Sequence, residues 1–228
     1  MDSPQKSMSP RGSFIKLNAQ WRIYFYREVQ RKLIHLTGLS IPISIILLGQ
    51  KITVYALVLS MVSAIIVERY KLQGKIKLPA VRDYEQNRVS GYVYYVLGAL
   101  LTVLLFPPAI AVTAILMLSL GDAASGIIGS IIKGSNVRAN LLEGKRWATK
   151  PWPLVLSTFL ICLLVGYLSS VLVKFTGLAE LEFAVYLAGS IGATAADAIP
   201  LSYRKWVVDD NFTIPICTGI MMTLAGLM

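Results

Sequence analysis

Carboxylates stand at the ends of three apolar stretches of this sequence, an uncommon place for acidic residues. Asp122 directly follows one apolar run, Asp197 lies near the end of another, and an acidic pair comes just before the last. Clustered carboxylate oxygens suit Mg²⁺ or Mn²⁺. The predicted metal ligands are therefore Asp122, Asp197, Asp209 and Asp210. The alternative is helix capping, by Asp122 in its own segment and by Asn211 in the last one.

The segment around Asp122 has the small residues that let a phosphate group approach the backbone. It reads SLGDAASGIIGS over residues 119–130. A helix N-terminus there would favour an anion, and Asp122 would hold the metal that accompanies a nucleoside triphosphate. The segment is not a P-loop, because no Gly-Lys-Ser/Thr follows at the right spacing. Small residues also allow close helix packing in lipid, which is the structural alternative. The predicted nucleotide contacts are Gly121, Asp122, Ser125, Gly126, Gly129, Lys145 and Asn211.

Cations and the single histidine cluster in REVQRKLIH, residues 27–35. Helical spacing puts Glu28, Arg31 and His35 on one face. An ionisable residue inside an apolar span indicates function, although His35 could simply be hydrogen-bonded to a neighbour. Histidine titrates near neutral pH and suits a general base; a carboxylate such as Glu85 or Asp210 could serve instead. The predicted catalytic residues are Asp122, His35, Glu85, Lys145, Arg31 and Lys32, with the cations offsetting phosphoryl charge.

The composition predicts that membrane-spanning helices position these side chains. The 228 residues are 55% hydrophobic and only 15% charged, and the apolar residues lie in long blocks. We predict an all-α, polytopic transmembrane helical bundle of about seven spans, as a single membrane-embedded domain over residues 14–228. Residues 1–13 are predicted to be a disordered tail and residues 14–32 an interfacial helix. The seven blocks are 33–49, 52–67, 91–106, 108–120, 152–173, 182–200 and 213–228, and the fourth could continue as a bent helix.

The distribution of basic residues predicts the orientation. All lysines and arginines except Lys51 and Lys174 fall in the N-terminal region or in alternate loops. The positive-inside rule then predicts a cytoplasmic N-terminus, and the net charge of +10 reflects basic inner loops rather than nucleic-acid binding. The acidic clusters and the histidine lie on that same side, which the rule for Lys and Arg does not explain. We therefore expect one cytoplasm-facing site. The cations of the loop 133–150 could bind triphosphate or serve only the topology.

These motifs together resemble the polyprenol kinase family, which includes dolichol, phytol and farnesol kinases and CTP-dependent diacylglycerol kinase. The matching pieces are REVQRKLIH, VERY, RDYEQNRVSGYVYYVLG, LGDAASGIIG, GATAADAIPL and DDNFTIP, in the family's order. The resemblance implies a CTP-dependent kinase that uses a divalent metal. Two features depart from the family: no Glu-Gly follows Gly144 and Lys145, and Asp197 stands where the family favours Glu.

The expected function is CTP-dependent phosphorylation of a membrane lipid alcohol at the cytoplasmic leaflet, with a polyprenol, dolichol or shorter isoprenoid alcohol as substrate. The expected partners are this alcohol, a nucleoside triphosphate, membrane lipid and, as one option, a second copy of the chain. One alternative is a CTP-dependent cytidylyltransferase that makes a CDP-activated lipid. A small membrane transporter is the alternative from another class, but it would require polar residues through the membrane midplane.

Overall fold

A computed structural model of the protein describes residues 21–78, 81, 85–132, 149–203 and 206–228. The predicted disordered tail, the start of the predicted interfacial helix, and Lys145 with most of the loop 133–150 lie outside these residues. The described part is helical, which confirms the all-α prediction. Its helices are α1 Trp21–Leu36, α2 Ser40–Leu48, α3 Gln50–Leu72, α4 Gly91–Leu105, α5 Pro108–Leu116, α6 Asp122–Ile131, α7 Trp152–Thr176, α8 Phe183–Ala198 and α9 Asp210–Gly226. Two-residue strands, β1 Ser202–Tyr203 and β2 Trp206–Val207, pair antiparallel.

Some of these helices join into longer rods. A 3₁₀ turn, Thr37–Leu39, connects α1 to α2, and a π-helical turn, Met117–Gly121, connects α5 to α6. The second rod is the bent continuation expected for the fourth apolar block. The chain reverses between α2 and α3 at Gly49, whose φ of 85° is accessible to glycine at little cost. Seven helical segments result among the described residues, in agreement with the number of apolar blocks.

Within the part of the chain that the structure describes, four helical segments are long and apolar enough to cross a membrane: Trp21–Leu48, Gln50–Leu72, Pro108–Ile131 and Trp152–Thr176. The chain is therefore a membrane protein. The remaining helices α4, α8 and α9 have 15, 16 and 17 residues. They are shorter than the roughly 20 residues of a straight span, and flanking residues or local thinning of the bilayer would complete them.

The rod Pro108–Ile131 forms the centre of the bundle. Of its most apolar stretch, 72% is buried inside the protein, compared with 17% for Gln50–Leu72. Side chains such as Val112, Ile115 and Leu118 are completely enclosed. Because its neighbours surround it on all sides, polar residues at its end face other helices rather than lipid. This placement explains how Asp122 is tolerated after an apolar run.

Small residues let α4 and α8 approach α9 closely. A Cβ at Gly98 of α4 would lie 2.7 Å from the carbonyl oxygen of Asn211, and one at Gly192 of α8 would lie 2.9 Å from that of Cys217. Both distances are too short for a side chain, so the helix backbones themselves are in contact. Such contacts are the usual means of helix association in lipid. They hold the first turn of α9, with its acidic residues, against the ends of α4 and α8.

Candidate active site at one end of the helix bundle

Three carboxylates from distant parts of the sequence meet in one group. Asp122 is the first residue of α6, Asp197 lies in the last turn of α8, and Asp210 is the first residue of α9. One oxygen from each lies within 4.8 Å of the others. Asp122 and Asp197 are buried, whereas Asp210 is half-buried. The π-helical turn that aims Asp122 is of a kind often found at functional sites.

Lys32 of α1 closes one side of this carboxylate group. Its Nζ lies 2.5 Å from Oδ2 of Asp122 and 3.9 Å from Oε1 of Glu28. Arg31 instead forms an ion pair with Glu28, with 2.9 Å between Nη1 and Oε2. Its connection to the carboxylate group is therefore indirect, through Glu28. Gly126 makes room for this contact, because a Cβ there would collide with the side chains of Lys32 and Glu28. The structure thus places Gly126 against α1.

Lys150 closes the other side of the group from the residues just before α7. Its Nζ lies 2.5 Å from Oδ1 of Asp197 and donates to Oγ of Ser125 at 3.1 Å. The Asp197 Oδ2 accepts hydrogen bonds from Ser125 at 2.8 Å and from Thr158 at 3.3 Å. Burial favours the neutral amine, but the neighbouring carboxylates, Asp197 first, raise the pKa of Lys150 above its ordinary value of 10.5. Lys150 is therefore an ammonium ion at neutral pH in this site.

His35 connects α1 to the start of α9. Its Nε2 donates to Oδ1 of Asn211 at 2.6 Å and lies 3.4 Å from Oδ2 of Asp122. The amide nitrogen of Asn211 donates to the carbonyl of Gly91 at 3.3 Å, which fixes the amide so that its oxygen faces the ring. A neutral His35 therefore carries its lone pair on Nδ1. This atom is buried, and no group among the described residues lies within hydrogen-bonding distance of it.

The two adjacent acids at the start of α9 take different positions. Asp209 is the N-cap, and its Oδ1 accepts the backbone N–H of Asn211 at 3.0 Å. Asp210 points its carboxylate toward Asp122 and Asp197 and also accepts from that N–H, at 3.1 Å. Of the four predicted metal ligands, Asp122, Asp197 and Asp210 are thus brought together, and Asp209 lies beside them. Asp209, rather than Asn211, provides the cap of the last helix.

The glycine-rich segment does not form the free helix N-terminus that was expected at Asp122. Gly121 already has helical dihedrals, and the backbone N–H of Asp122 donates to the carbonyl of Leu118. The amides at the start of α6 continue the preceding helical turn, so the free helix N-terminus predicted there is wrong. Gly121 instead allows close packing, because a Cβ would lie 2.7 Å from the sulfur of Cys162. Gly129 lies one turn beyond Ser125 in α6 and is buried.

Glu85 is buried in the segment that leads into α4. A Cβ at Gly91 would lie 3.7 Å from Oε1 of Glu85 and 3.6 Å from Oδ2 of Asp209. Glu85 thus approaches the site from the side of Asp209 and Asn211, and it is not part of the group formed by Asp122, Asp197 and Asp210. Of the predicted general bases His35, Glu85 and Asp210, both His35 and Asp210 lie beside Asp122, whereas Glu85 does not.

A buried ion pair that sequence reasoning did not identify secures this segment. Glu68 and Lys71 lie one turn apart at the end of α3, 2.7 Å apart between Oε1 and Nζ. Lys71 also donates to the carbonyls of Glu85 and Arg88 and to Oγ of Ser90. Glu68 lies at a helix end, where the sequence alone does not distinguish it from an ordinary surface charge. The available signal was the helical spacing of Glu68 and Lys71, but its buried partners belong to another part of the chain.

Tyr95 faces the interior of the bundle. Its hydroxyl is 2.8 Å from Oγ of Ser119, and its ring meets that of His35 edge-on, with 4.5 Å between the ring centres. Tyr95 is therefore part of the packed interior rather than of an interfacial belt of tyrosines. Tyr92 also points inward, donating to Oε2 of Glu68 at 2.7 Å. Tyr95 supports the histidine ring from the side of α4.

Comparison with known proteins gives one informative match. The chain is 24% identical over 156 residues to CTP-dependent diacylglycerol kinase 1 of Schizosaccharomyces pombe (strain 972 / ATCC 24843), and the match covers 68% of each chain. No protein-family model matches the chain. No solved structure matches it either. The activity in the relative's name, CTP-dependent diacylglycerol kinase, is one of those included in the family that the sequence motifs resemble.

Proposed function

We propose that this membrane protein is a lipid kinase that transfers the terminal phosphoryl group of a nucleoside triphosphate to the hydroxyl group of a lipid. The observation that carries the proposal is the group formed by Asp122, Asp197 and Asp210, flanked by Lys32 and Lys150. Phosphoryl transfer depends mainly on positioning and on charge stabilisation, and this arrangement provides both. The similarity to a CTP-dependent kinase favours CTP as the donor.

The donor set fits a divalent cation. Asp122, Asp197 and Asp210 offer oxygen ligands alone, the chemistry that Mg²⁺ and Mn²⁺ prefer. Three carboxylates so close together also repel one another, and the two lysines offset only part of this negative charge. When bound, Mg²⁺ would neutralise charge on the triphosphate. These three aspartates are the residues that would hold it.

The remaining side chains have separate roles in the proposed reaction. Lys32 and Lys150 stabilise negative charge on the transferred phosphoryl group. A bond forms between the lipid oxygen and the γ-phosphorus, and the bond from that phosphorus to the β,γ-bridging oxygen breaks, so that CTP would leave as CDP. The hydroxyl proton passes to a general base beside Asp122, for which His35 and the half-buried carboxylate of Asp210 are the candidates.

Two observations bear on the class of the lipid substrate, the sequence motifs and the curated relative. The sequence motifs resemble kinases of polyprenols and shorter isoprenoid alcohols as well as of diacylglycerol. The curated relative is a diacylglycerol kinase. We propose diacylglycerol and isoprenoid alcohols as the two classes to compare, with the reaction at the cytoplasmic leaflet, as the basic loops indicate. Cysteine labelling from either side of sealed vesicles tests this orientation.

The direct test uses the purified full chain in lipid nanodiscs with γ-labelled CTP, ATP or GTP. Each nucleotide is offered with dioleoylglycerol, dolichol or farnesol in the presence of Mg²⁺. We expect one lipid class to acquire label, CDP to be released, and Asp197→Asn to remove the activity. Release of pyrophosphate with a CDP-lipid product would identify a cytidylyltransferase instead. Absence of label from every lipid would contradict the kinase proposal.

A further inference from the structure

A groove on the membrane-facing side of the protein lies between α7 and α8, and Lys150 of the candidate active site is one of its lining residues. Its volume is about 850 Å³, within the range of roughly 300–1,000 Å³ typical of small-molecule sites. Trp152, Leu156 and Phe159 of α7 form one wall, and Ile191, Ala195 and Ile199 of α8 form the other. We propose that this groove holds the hydrocarbon chain of the acceptor lipid, an inference that rests on the proposed kinase function.

The groove has a polar end at the carboxylate group. Lys150 lines it and at the same time places its Nζ 2.5 Å from Oδ1 of Asp197. Asp197 directly precedes Ala198, which also lines the groove, and follows the lining residue Thr194 by one helical turn. A molecule lying along the groove therefore meets Lys150, a charged group of the candidate site, at one end only. This arrangement matches a lipid alcohol, which has one polar group at the end of a long apolar chain.

The apolar walls of the groove favour the lipid chain over the nucleotide as the molecule that binds there. Beyond Lys150 and the threonines, the described lining consists of aliphatic and aromatic side chains. A base, ribose or triphosphate buried there would lose its hydrogen bonds to water without replacement. Several wall residues, among them Trp152, Leu156 and Ile199, are also exposed on the outer surface of the bundle. The groove is thus open toward the hydrocarbon of the bilayer, and a lipid can enter it laterally.

A matched pair of substitutions tests this assignment. Ala195 is exposed on the groove wall, so Ala195→Phe fills the groove without disturbing buried packing. Ala184 of the same helix is also exposed, lies on nearly the same face and is about 16 Å nearer the other end. We expect Ala195→Phe to raise the KM for dioleoylglycerol or dolichol, whichever is turned over, by on the order of tenfold. The KM for CTP should stay unchanged, and Ala184→Phe should behave as the unmodified protein.

A binding readout that needs no turnover separates the two proposals. Dioleoylglycerol and dolichol analogues with a diazirine in the chain are crosslinked to the full protein in nanodiscs without nucleotide. We expect labelled peptides from residues 150–159 and 191–199, with less label in Ala195→Phe than in Ala184→Phe. If the protein phosphorylates no lipid but this labelling pattern appears, the kinase proposal fails and the groove assignment stands. Equal KM values and equal labelling in the two variants would overturn the groove assignment.

Discussion

Lys32 of α1 and Asp122 of α6 form a buried ion pair with 2.5 Å between Nζ and Oδ2, although 90 residues separate them in the sequence. Both side chains are almost completely enclosed. A charge in such a place is tolerated only with a partner. The pair therefore fixes the first helix to the centre of the bundle and brings a cation to the carboxylate group.

This pair can be measured with a double-mutant cycle of Lys32→Met and Asp122→Asn. Each single change leaves one buried charge without its closest partner, so we expect each to lower the free energy of unfolding by about 3 kcal/mol. The double variant should be at least about 1 kcal/mol more stable than the sum of the single effects implies. Unfolding in a detergent titration gives these values, and strictly additive losses would contradict the pairing. Lipid kinase activity should be lost in all three variants.

The neighbours Asp209 and Asp210 should respond differently to the same substitution. Asp210→Asn removes one carboxylate from the group that would hold Mg²⁺, so we expect a weaker apparent affinity for Mg²⁺ and a kcat at least about 100-fold lower. Asp209→Asn retains an oxygen that can accept the N–H of Asn211, so the helix cap survives. Titration of activity with MgCl₂ distinguishes the two. A larger change in Mg²⁺ affinity in Asp209→Asn would contradict the assignment.

Lys150 should make stability depend on pH only in the alkaline range. Its pKa is raised above the ordinary value of 10.5, so the folded protein retains the proton at a pH where the unfolded chain has lost it. The stabilisation is complete below about pH 10.5 and is lost as the pH rises through the higher pKa of the folded state. We expect the melting temperature of the unmodified protein to fall more steeply above pH 10.5 than that of Lys150→Met. Parallel slopes in a thermal shift assay would contradict the pairing with Asp197.

The ion pair between Glu68 and Lys71 should be structural. Lys71→Met leaves Glu68 unpaired and removes hydrogen bonds to the segment before α4, and we expect a loss of about 3 kcal/mol. The matched control is Lys77→Met, since Lys77 is exposed and nearby. The segment 85–90 should also become accessible to protease in Lys71→Met alone. Equal stability and equal cleavage in the two variants would contradict this role.

One methyl group added where α4 contacts α9 should destabilise the protein. A Cβ at Gly98 would lie 2.7 Å from the carbonyl of Asn211, whereas one at Gly226 would lie 3.9 Å from Val185. Gly98→Ala must therefore push the helices apart, at a cost of roughly 1–3 kcal/mol, and it shifts the residue that binds His35. Gly226→Ala should be tolerated. We expect a lower melting temperature and a lower kcat only for Gly98→Ala, and an unchanged protein would refute the tight contact.

The sequence by itself determined that the chain is a helical membrane protein and which residues are chemically unusual in it. Apolar blocks of helical length define the segments, because a backbone in hydrocarbon must satisfy its own hydrogen bonds. Acids at the ends of such blocks are costly, so Asp122, Asp197 and the Asp209–Asp210 pair could be singled out by position alone. The expectation that they share one site followed from the alternation of loops.

Only the tertiary structure decided how these residues divide their roles. Whether Asp209 or Asp210 faces Asp122 depends on the direction in which α9 begins. The side chains of neighbouring residues at the start of a helix point in directions about 100° apart. The helical continuity at Gly121, the choice of Lys150 as the partner of Asp197, and the position of Tyr95 against His35 depend on contacts between segments far apart in the chain. Apolar residues that face lipid and those that line the groove between α7 and α8 are of the same types. The sequence therefore does not predict the groove, which only the packing of the two helices reveals.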